Sequence, residues 1–488
     1  MNDGYELCIG NEIDDKMYDE CAVVGVYGIG DASNVCKKVL FMTQHRGPKA
    51  SGMATWDGQQ LHLHKDSGLV REIFTQSVMA GLLGQIAIGH NRYVTADGSE
   101  LAHQPHLKKC HNGREVVGAS NGDDPRCDLL IARLKEAGYK LDSRNDGEAI
   151  TTLLTYYLDK LQGDETDLDA FRRLMNDPDL RGAAYSAVFI LDGVLWVIRD
   201  PLGIRPLSLA RFGQGYIVAS ETCGFDIVKA DYIRDVHPGE IIRIDEDGER
   251  GYPGAESTRH AHCIFCYIYF ARPDSRIFGG HSVARARKRM GAKLWPHIRP
   301  YITADPSEYI VISVPDSANN IGNGLAQESG IPFEFGLVRS HFIGRGFLAP
   351  VQEQREKAAV LKYNPDAGLV SGKRVIVVED SIVRGTTLRL LIRMLRLAGA
   401  VEVIVAVSSP PVKWSCFFGI DTPTRRELIA STKSVDEICR EIEADRLVYL
   451  PLEDTLDCVH NGRTHFCHAC FSGEYPCQES IPADKFVD

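Results

Sequence analysis

The sequence predicts an α/β protein whose second half is built on a doubly wound parallel sheet. Three apolar runs carry this reading: EYIVISVPDSA predicts a strand at 309–314, RVIVVED one that ends at Glu379, and VEVIVAVSSPPV one at 402–408. None alternates with polar residues, which suits strands buried on both faces, and helical stretches separate them. The middle run leads into a helix. Leu388, Leu391, Ile392 and Leu395 fall at helical spacing, Arg389, Arg393 and Arg396 take the other face, and Gly399 predicts the stop. Residues 381–387 therefore lie off the carboxyl end of a strand, where open α/β sheets bind ligands, and at a helix N-terminus.

That placement suits a phosphate. Unpaired amides and the helix dipole favour an anion, the hydroxyls of Thr386 and Thr387 add donors, and Gly385 lets the backbone come close. Glu379 and Asp380 would repel the same phosphate unless they hold Mg²⁺ or accept hydrogen bonds from sugar hydroxyls. A phosphorylated sugar satisfies both demands. For the isolated motif, a plain strand-to-helix turn with solvated acids and a threonine cap is the alternative. The full pattern of apolar strand, ED, four residues, GTT and helix resembles the phosphoribosyl-pyrophosphate loop of type I phosphoribosyltransferases. The resemblance implies that Glu379, Asp380, Ser381, Arg384, Gly385, Thr386 and Thr387 bind phosphoribosyl pyrophosphate, with Mg²⁺ at Glu379 and Asp380.

Composition sets wide bounds. At 488 residues the chain has length for two or three domains, and 44% apolar with 25% charged residues is ordinary for a globular protein. A net charge of −11 without a long Lys/Arg run argues against a nucleic-acid surface. MNDGYELCIGNEIDDKMYDE has neither a basic start nor an apolar core, so it is no signal or transit peptide, and no apolar run is long enough to span a membrane. A cytoplasmic protein is expected. Its fourteen cysteines then read as metal-binding or catalytic thiols sooner than as disulfides.

Near the start, AVVGVYG predicts a strand directly after Cys21, and a helical stretch to about Thr43 leads into QHRGPKASGMA. These features resemble class II glutamine amidotransferases, whose mature chain begins with a cysteine before such a strand and carries QHRG soon afterwards. The resemblance implies a propeptide, 1–20, removed between Glu20 and Cys21, because a terminal cysteine supplies the thiolate and its own α-amine the base. Arg92 in GHNRYVTADG matches the family arginine that grips the substrate carboxylate, a task for a bidentate fork. Asn121 and Gly122 in ASNGDD match the oxyanion pair, and Asp146 in SRNDGEAI matches the acid that holds the amino group of glutamine. Taken singly, Cys21 reads as a buried structural thiol and the others as turn or surface residues. AYSAVFIL, Asp192-Gly193 and VLWVIRD predict a hairpin with a primed turn. The resemblance continues through RDPLGIRPLSLA and IVASETCGFD. It implies the αββα layering of N-terminal-nucleophile hydrolases for 21–254, with the polar, glycine-bearing stretch 248–257 as a boundary.

HCIFCYIYFARPDSRIFGGHSVARARKRMG opens the second half, expected at 255–450 and followed by a tail at 451–488. RPDS, DSIVRGTT, SSPP and FFGID extend the resemblance along nearly the whole chain, to the iron–sulfur, propeptide-bearing subgroup of amidophosphoribosyltransferases. It implies that glutamine is hydrolysed and that its ammonia displaces pyrophosphate from phosphoribosyl pyrophosphate, giving phosphoribosylamine in the first committed step of purine synthesis. It also implies a homo-oligomer, dimer or tetramer, and makes purine nucleotides candidate inhibitors. Cys263, Cys416, Cys467 and Cys470 fall where that subgroup places the ligands of a structural [4Fe–4S] cluster. Cys266 makes a second CxxC with Cys263, so Zn²⁺ at Cys263, Cys266, Cys467 and Cys470 is the alternative.

Several family positions are altered. Ser120 stands in place of a histidine and Asp123 of an asparagine beside the oxyanion pair, and Ala318 stands where a serine helps place the metal. The closing loop, typically KNRYVGRTF, reads RSHFIGRGF at 339–347; it keeps Arg345, implied to bind the pyrophosphate, but substitutes Arg339, His341 and Phe342. These changes keep a second hypothesis open: a diverged paralogue that uses another amine, or a phosphoribosyl-pyrophosphate-binding regulator with weak transfer. A third, a zinc-held interaction module, explains the cysteines alone.

Overall fold

Two antiparallel sheets face each other in the first half of the chain, because their strands are apolar on the side they share. In the computed structural model, which describes residues 17–19, 21–93, 99–340, 362–478 and 481, the first sheet has seven strands and the second six. Cys21–Tyr27 and Ile86–Arg92 lie in the middle of the first sheet; Glu115–Asp123 and the hairpin Ala184–Leu191 with Val194–Arg199 lie in the second. Val23, Ala54 and Ile88 from one sheet and Val117, Ala119, Val188 and Val197 from the other share a single core layer. The outer face of the first sheet is covered by the helix Ala32–Met42 and that of the second by Asp146–Leu158, which completes the αββα layering. The hairpin turn is of the primed kind, with positive φ at both Asp192 and Gly193. The stretch expected as a boundary forms the strand Gly248–Pro253, paired along its length with Glu240–Asp245; its polarity follows from its place at the sheet edge.

The second half holds a four-stranded parallel sheet in the order Tyr309–Ser313, Arg374–Glu379, Glu402–Val407 and Arg446–Tyr449. Successive side chains leave on opposite faces. Val311, Ile376, Val378 and Ile404 pack toward the helices Val283–Ile298 and Asn319–Ser329, while Ile310, Val375, Val377 and Val403 pack toward Thr386–Leu397. In that last helix the buried positions are Leu388, Leu391, Ile392 and Leu395, the stripe read from the sequence. Arg393 and Arg396 on its other side pair with Glu443 and Asp445. The first strand of the tail, Phe466–Cys467, lies parallel to His262–Cys263, so the end of the chain closes back on the start of the second half. Just ahead of Cys21, Tyr18–Asp19 pairs antiparallel with Ile420–Asp421. Residues 1–16 and 20 of the expected propeptide, and positions 341–347 of the closing loop with Arg345, lie outside the described residues.

The helices Val283–Ile298 and Asn319–Ser329 meet backbone to backbone. A Cβ on Gly324 would stand 2.1 Å from the carbonyl oxygen of Lys288, and one on Gly291 1.9 Å from that of Ile321. Gly324→Ala is therefore expected to destabilise the protein by about 2 kcal/mol or more, the scale of overpacking a tight core. Its urea midpoint should fall, whereas Gly330→Ala, at a helix end with open space around it, should cost only the strain of a left-handed backbone.

Candidate functional site

Three constellations emerge from this frame. The first is built on facing strands of the two antiparallel sheets. Cys21, buried at the start of its strand, stands directly opposite Arg92 in antiparallel register, and Arg92 is itself buried. Across the sandwich, Asn121 is fully buried and neither its amide nitrogen nor its oxygen has a hydrogen-bond partner among the described residues. Leaving such a group unsatisfied costs about 1–3 kcal/mol, so it is a group waiting for a ligand. Gly122 beside it has φ +151, and a Cβ there would come within 1.9 Å of the Ala184 carbonyl oxygen; only glycine holds this backbone. Asp146 opens the helix Asp146–Leu158. Loss of hydration, and then the nearby Asp123, raise its carboxyl to about 8, against the pull of Arg92. Arg92 thus lies close enough to Asp146 to pull its carboxyl toward the charged form.

Several residues without a local sequence signal hold this arrangement. Gln104 brackets Ser120, accepting from its backbone N–H at 2.7 Å and donating to its carbonyl at 3.2 Å, which pins the strand one residue before Asn121. His90 lies 3.2 Å from the same carbonyl through Nε2, and burial holds its ring neutral, so Nε2–H donates. QHRG acquires specific tasks: Arg46 Nε donates to the backbone oxygen of Cys21 at 3.1 Å, and Gly47 lies so close to residues 91 and 92 that no side chain fits there. Arg46 and His45 both donate to the carboxylate of Glu221, His45 at 3.0 Å. Glu221 lies in IVASETCGFD, a stretch that continues the family resemblance, but nothing in that stretch signals its partners across the fold.

The second constellation sits off the carboxyl ends of the parallel strands. Glu379 and Asp380 are buried, and Asp380 accepts hydroxyl hydrogen bonds from Ser317 at 2.5 Å and Ser381 at 2.7 Å. Gly385, with φ +81, is the N-cap of the helix that starts at Thr386, whose first amides have no partner within the helix. Arg384 pairs with Glu427 at 2.9 Å. Arg339, one of the two described residues of the closing loop, pairs with Asp316 at 2.9 Å. Ala318 is fully buried at the N-cap of its helix, next to Ser317, whose hydroxyl donates to Asp380.

The third is a cavity where Cys263, Cys416, Cys467 and Cys470 converge from separate stretches of the sequence, among Ile204, Arg205, Phe418 and Tyr475. The parallel pair of short strands sets Cys263 beside Cys467, and the amides of Lys413 and Trp414 donate to the carbonyl of Cys470. Burial pushes the Cys416 thiol up to about 12 and the Cys467 thiol to about 11. Cys266 is fully buried but does not line the cavity. Among the described residues, no three His, Cys, Asp or Glu side chains converge closely enough to hold a single metal ion. No helix among them is long and apolar enough to cross a membrane.

Comparison with known proteins places these sites in context. Residues 296–429 match the phosphoribosyl transferase domain family. The chain is 37% identical to amidophosphoribosyltransferase of Methanothermobacter thermautotrophicus over 96% of both chains, and 39% identical to that of Bacillus subtilis over 94% of both. The solved structure of B. subtilis glutamine phosphoribosylpyrophosphate amidotransferase complexed with ADP and GMP superposes with a TM-score of 0.85 at 38% identity, covering 96% of this chain and all of the other. With full-length similarity of this order on both sequence and structure, the chain belongs to the amidophosphoribosyltransferase family.

Proposed function

We propose that this protein hydrolyses glutamine at Cys21 and uses the ammonia to form phosphoribosylamine from phosphoribosyl pyrophosphate, in purine biosynthesis. The observation that carries the reading is similarity to amidophosphoribosyltransferases over 96% of the chain, which takes in both the Cys21 strand and the Glu379–Asp380 turn. The Cys21 thiolate attacks the carboxamide carbon, and the α-amine that removal of residues 1–20 exposes takes up the thiol proton. Asn121 and the Gly122 amide receive the oxyanion; the unsatisfied Asn121 amide supports this role. Arg92 grips the substrate carboxylate and Asp146 its ammonium group. Ammonia leaves, water releases glutamate, and ammonia then displaces pyrophosphate from the ribose C1.

Glu379, Asp380 and Ser317 offer only oxygen ligands, which fit Mg²⁺, and the first amides of the helix Thr386–Leu397 fit the phosphate. A Mg²⁺ held there would supply positive charge for the leaving pyrophosphate. Arg345, Ser381, Arg384, Gly385, Thr386 and Thr387 complete the phosphoribosyl-pyrophosphate site. The Ser317 hydroxyl donates to Asp380 and holds its carboxylate in place. The B. subtilis relative was solved in complex with ADP and GMP, and by analogy purine nucleotides are the candidate inhibitors of this protein.

The four thiols fit a [4Fe–4S] cluster better than Zn²⁺. A single zinc ion binds sulfur at about 2.3 Å and draws its ligands into one tight tetrahedron, whereas an iron–sulfur cube needs a wider cage. The cavity includes Cys416 and leaves out Cys266, opposite to the zinc set. Such a cluster would tie the tail to the rest of the second half.

Three outcomes test the reading. Cys21→Ala should abolish glutamate and pyrophosphate release with glutamine yet keep pyrophosphate release with ammonia; loss of both would leave Cys21 without the nucleophile's role. Protein purified anaerobically should contain iron that Cys416→Ser loses and Cys266→Ser retains, measured by metal analysis; zinc in the wild type, lost with Cys266, would reverse the assignment. Because the Asp146 carboxyl titrates near 8 without ligand, it is largely protonated at neutral pH and cannot hold an ammonium group until it ionises. The KM for glutamine should therefore fall by about 25-fold between roughly pH 6.5 and pH 8.5. Asp146→Asn should raise KM and flatten that dependence.

A further inference from the structure

Glu221 stands where the two halves meet, and its two oxygens serve different halves. Oε1 accepts from His45 at 3.0 Å and from Arg46, which in turn donates to the backbone oxygen of Cys21 at 3.1 Å. Oε2 accepts from the backbone N–H of Arg272 at 2.9 Å and from the Ser275 hydroxyl at 2.7 Å, both in the RPDS segment. The neighbouring Thr222 accepts from the Arg276 N–H at 2.8 Å, and Ser220 accepts from the Val23 N–H at 3.0 Å, two residues past the nucleophile. Glu221 is fully buried; burial alone would raise its pKa, but His45 and Arg46 hold the carboxyl well below the usual range, so it stays charged.

The line continues beyond Glu221. Arg287, fully buried on the helix Val283–Ile298, donates to the carbonyls of Tyr267, Tyr269 and Ala271, immediately before the RPDS segment, each at 2.8 Å. Its guanidinium also feels the charges of Asp380 and Glu221. A series of polar contacts thus runs from the Cys21 backbone through Arg46 and Glu221 to residues 272–276; Arg287 holds the residues just before them, 267–271, and bears the influence of the Asp380 charge at the phosphoribosyl site.

We infer that Glu221 is a positioning residue that couples the two half-reactions, so that the state of the phosphoribosyl site sets the backbone position of Cys21. The inference rests on the function proposed above. Buried chains of packed polar groups carry coupling of this kind, and a double-ended carboxylate is its narrowest point here. Glu221→Gln keeps the shape but removes the charge and one acceptor. It should leave ammonia-dependent pyrophosphate release within about twofold of wild type while separating glutamate from pyrophosphate release, raising their ratio by roughly threefold or more above one. Ser275→Ala, which cuts only the contact to the second half, should uncouple in the same direction and decides the matter if Glu221→Gln does not fold. A ratio that stays at one in a folded variant, with both products reduced alike or unchanged, overturns the proposal. Wild-type protein that releases neither product with glutamine or ammonia overturns the function on which it rests, and the proposal with it.

Discussion

A carboxylate taken out of water must be surrounded by donors, and at Glu221 those donors come from His45 and Arg46 on one side and Arg272 and Ser275 on the other. Much of the arrangement depends on meeting that demand. Removing one partner of a buried pair leaves an uncompensated charge that costs about 3–5 kcal/mol, so neither segment is free to move without the other. The antiparallel sandwich and the parallel sheet are therefore joined by a hydrogen-bonded charge as well as by apolar contact. Ala184 and Ile204 from the sandwich join the core of the second half, and that contact alone would permit sliding. The charged junction fixes a single register.

The two reaction centres use burial in contrasting ways. Around Cys21 it leaves polar groups unsatisfied, at Asn121, or pushed toward neutrality, at Asp146. Around Asp380 it satisfies the acid in advance, with two hydroxyls already in place. The first pattern suits a site that binds a neutral amide and a zwitterionic end; the second suits one that holds an acid still while a highly charged substrate comes and goes.

Local pattern makes the frame legible. The stripe at Leu388, Leu391, Ile392 and Leu395 and the unbroken Val/Ile runs identify their elements because helix packing and two-sided burial leave little choice of residue. The strand Arg446–Tyr449 carries no such signal, being short and flanked by charge, and Gly248–Pro253 reads as a linker because an edge strand need not be apolar. Within the sites, residues that carry chemistry on short motifs stand out in the sequence, whereas those that hold them do not. Gln104, Ser317 and Glu221 act across long sequence separations, and their partners are chosen by the fold.

The thiol cavity has a consequence for how the protein is made. Its four cysteines are drawn from positions 263, 416, 467 and 470, and the pairing of His262–Cys263 with Phe466–Cys467 cannot form until the tail has been synthesised. The sandwich, by contrast, is complete in sequence long before that point. A ribosome therefore releases a chain whose first half can already be folded while its cavity is still open on one side, and a chain truncated before the last CxxC carries a folded first half with a cavity that can never close.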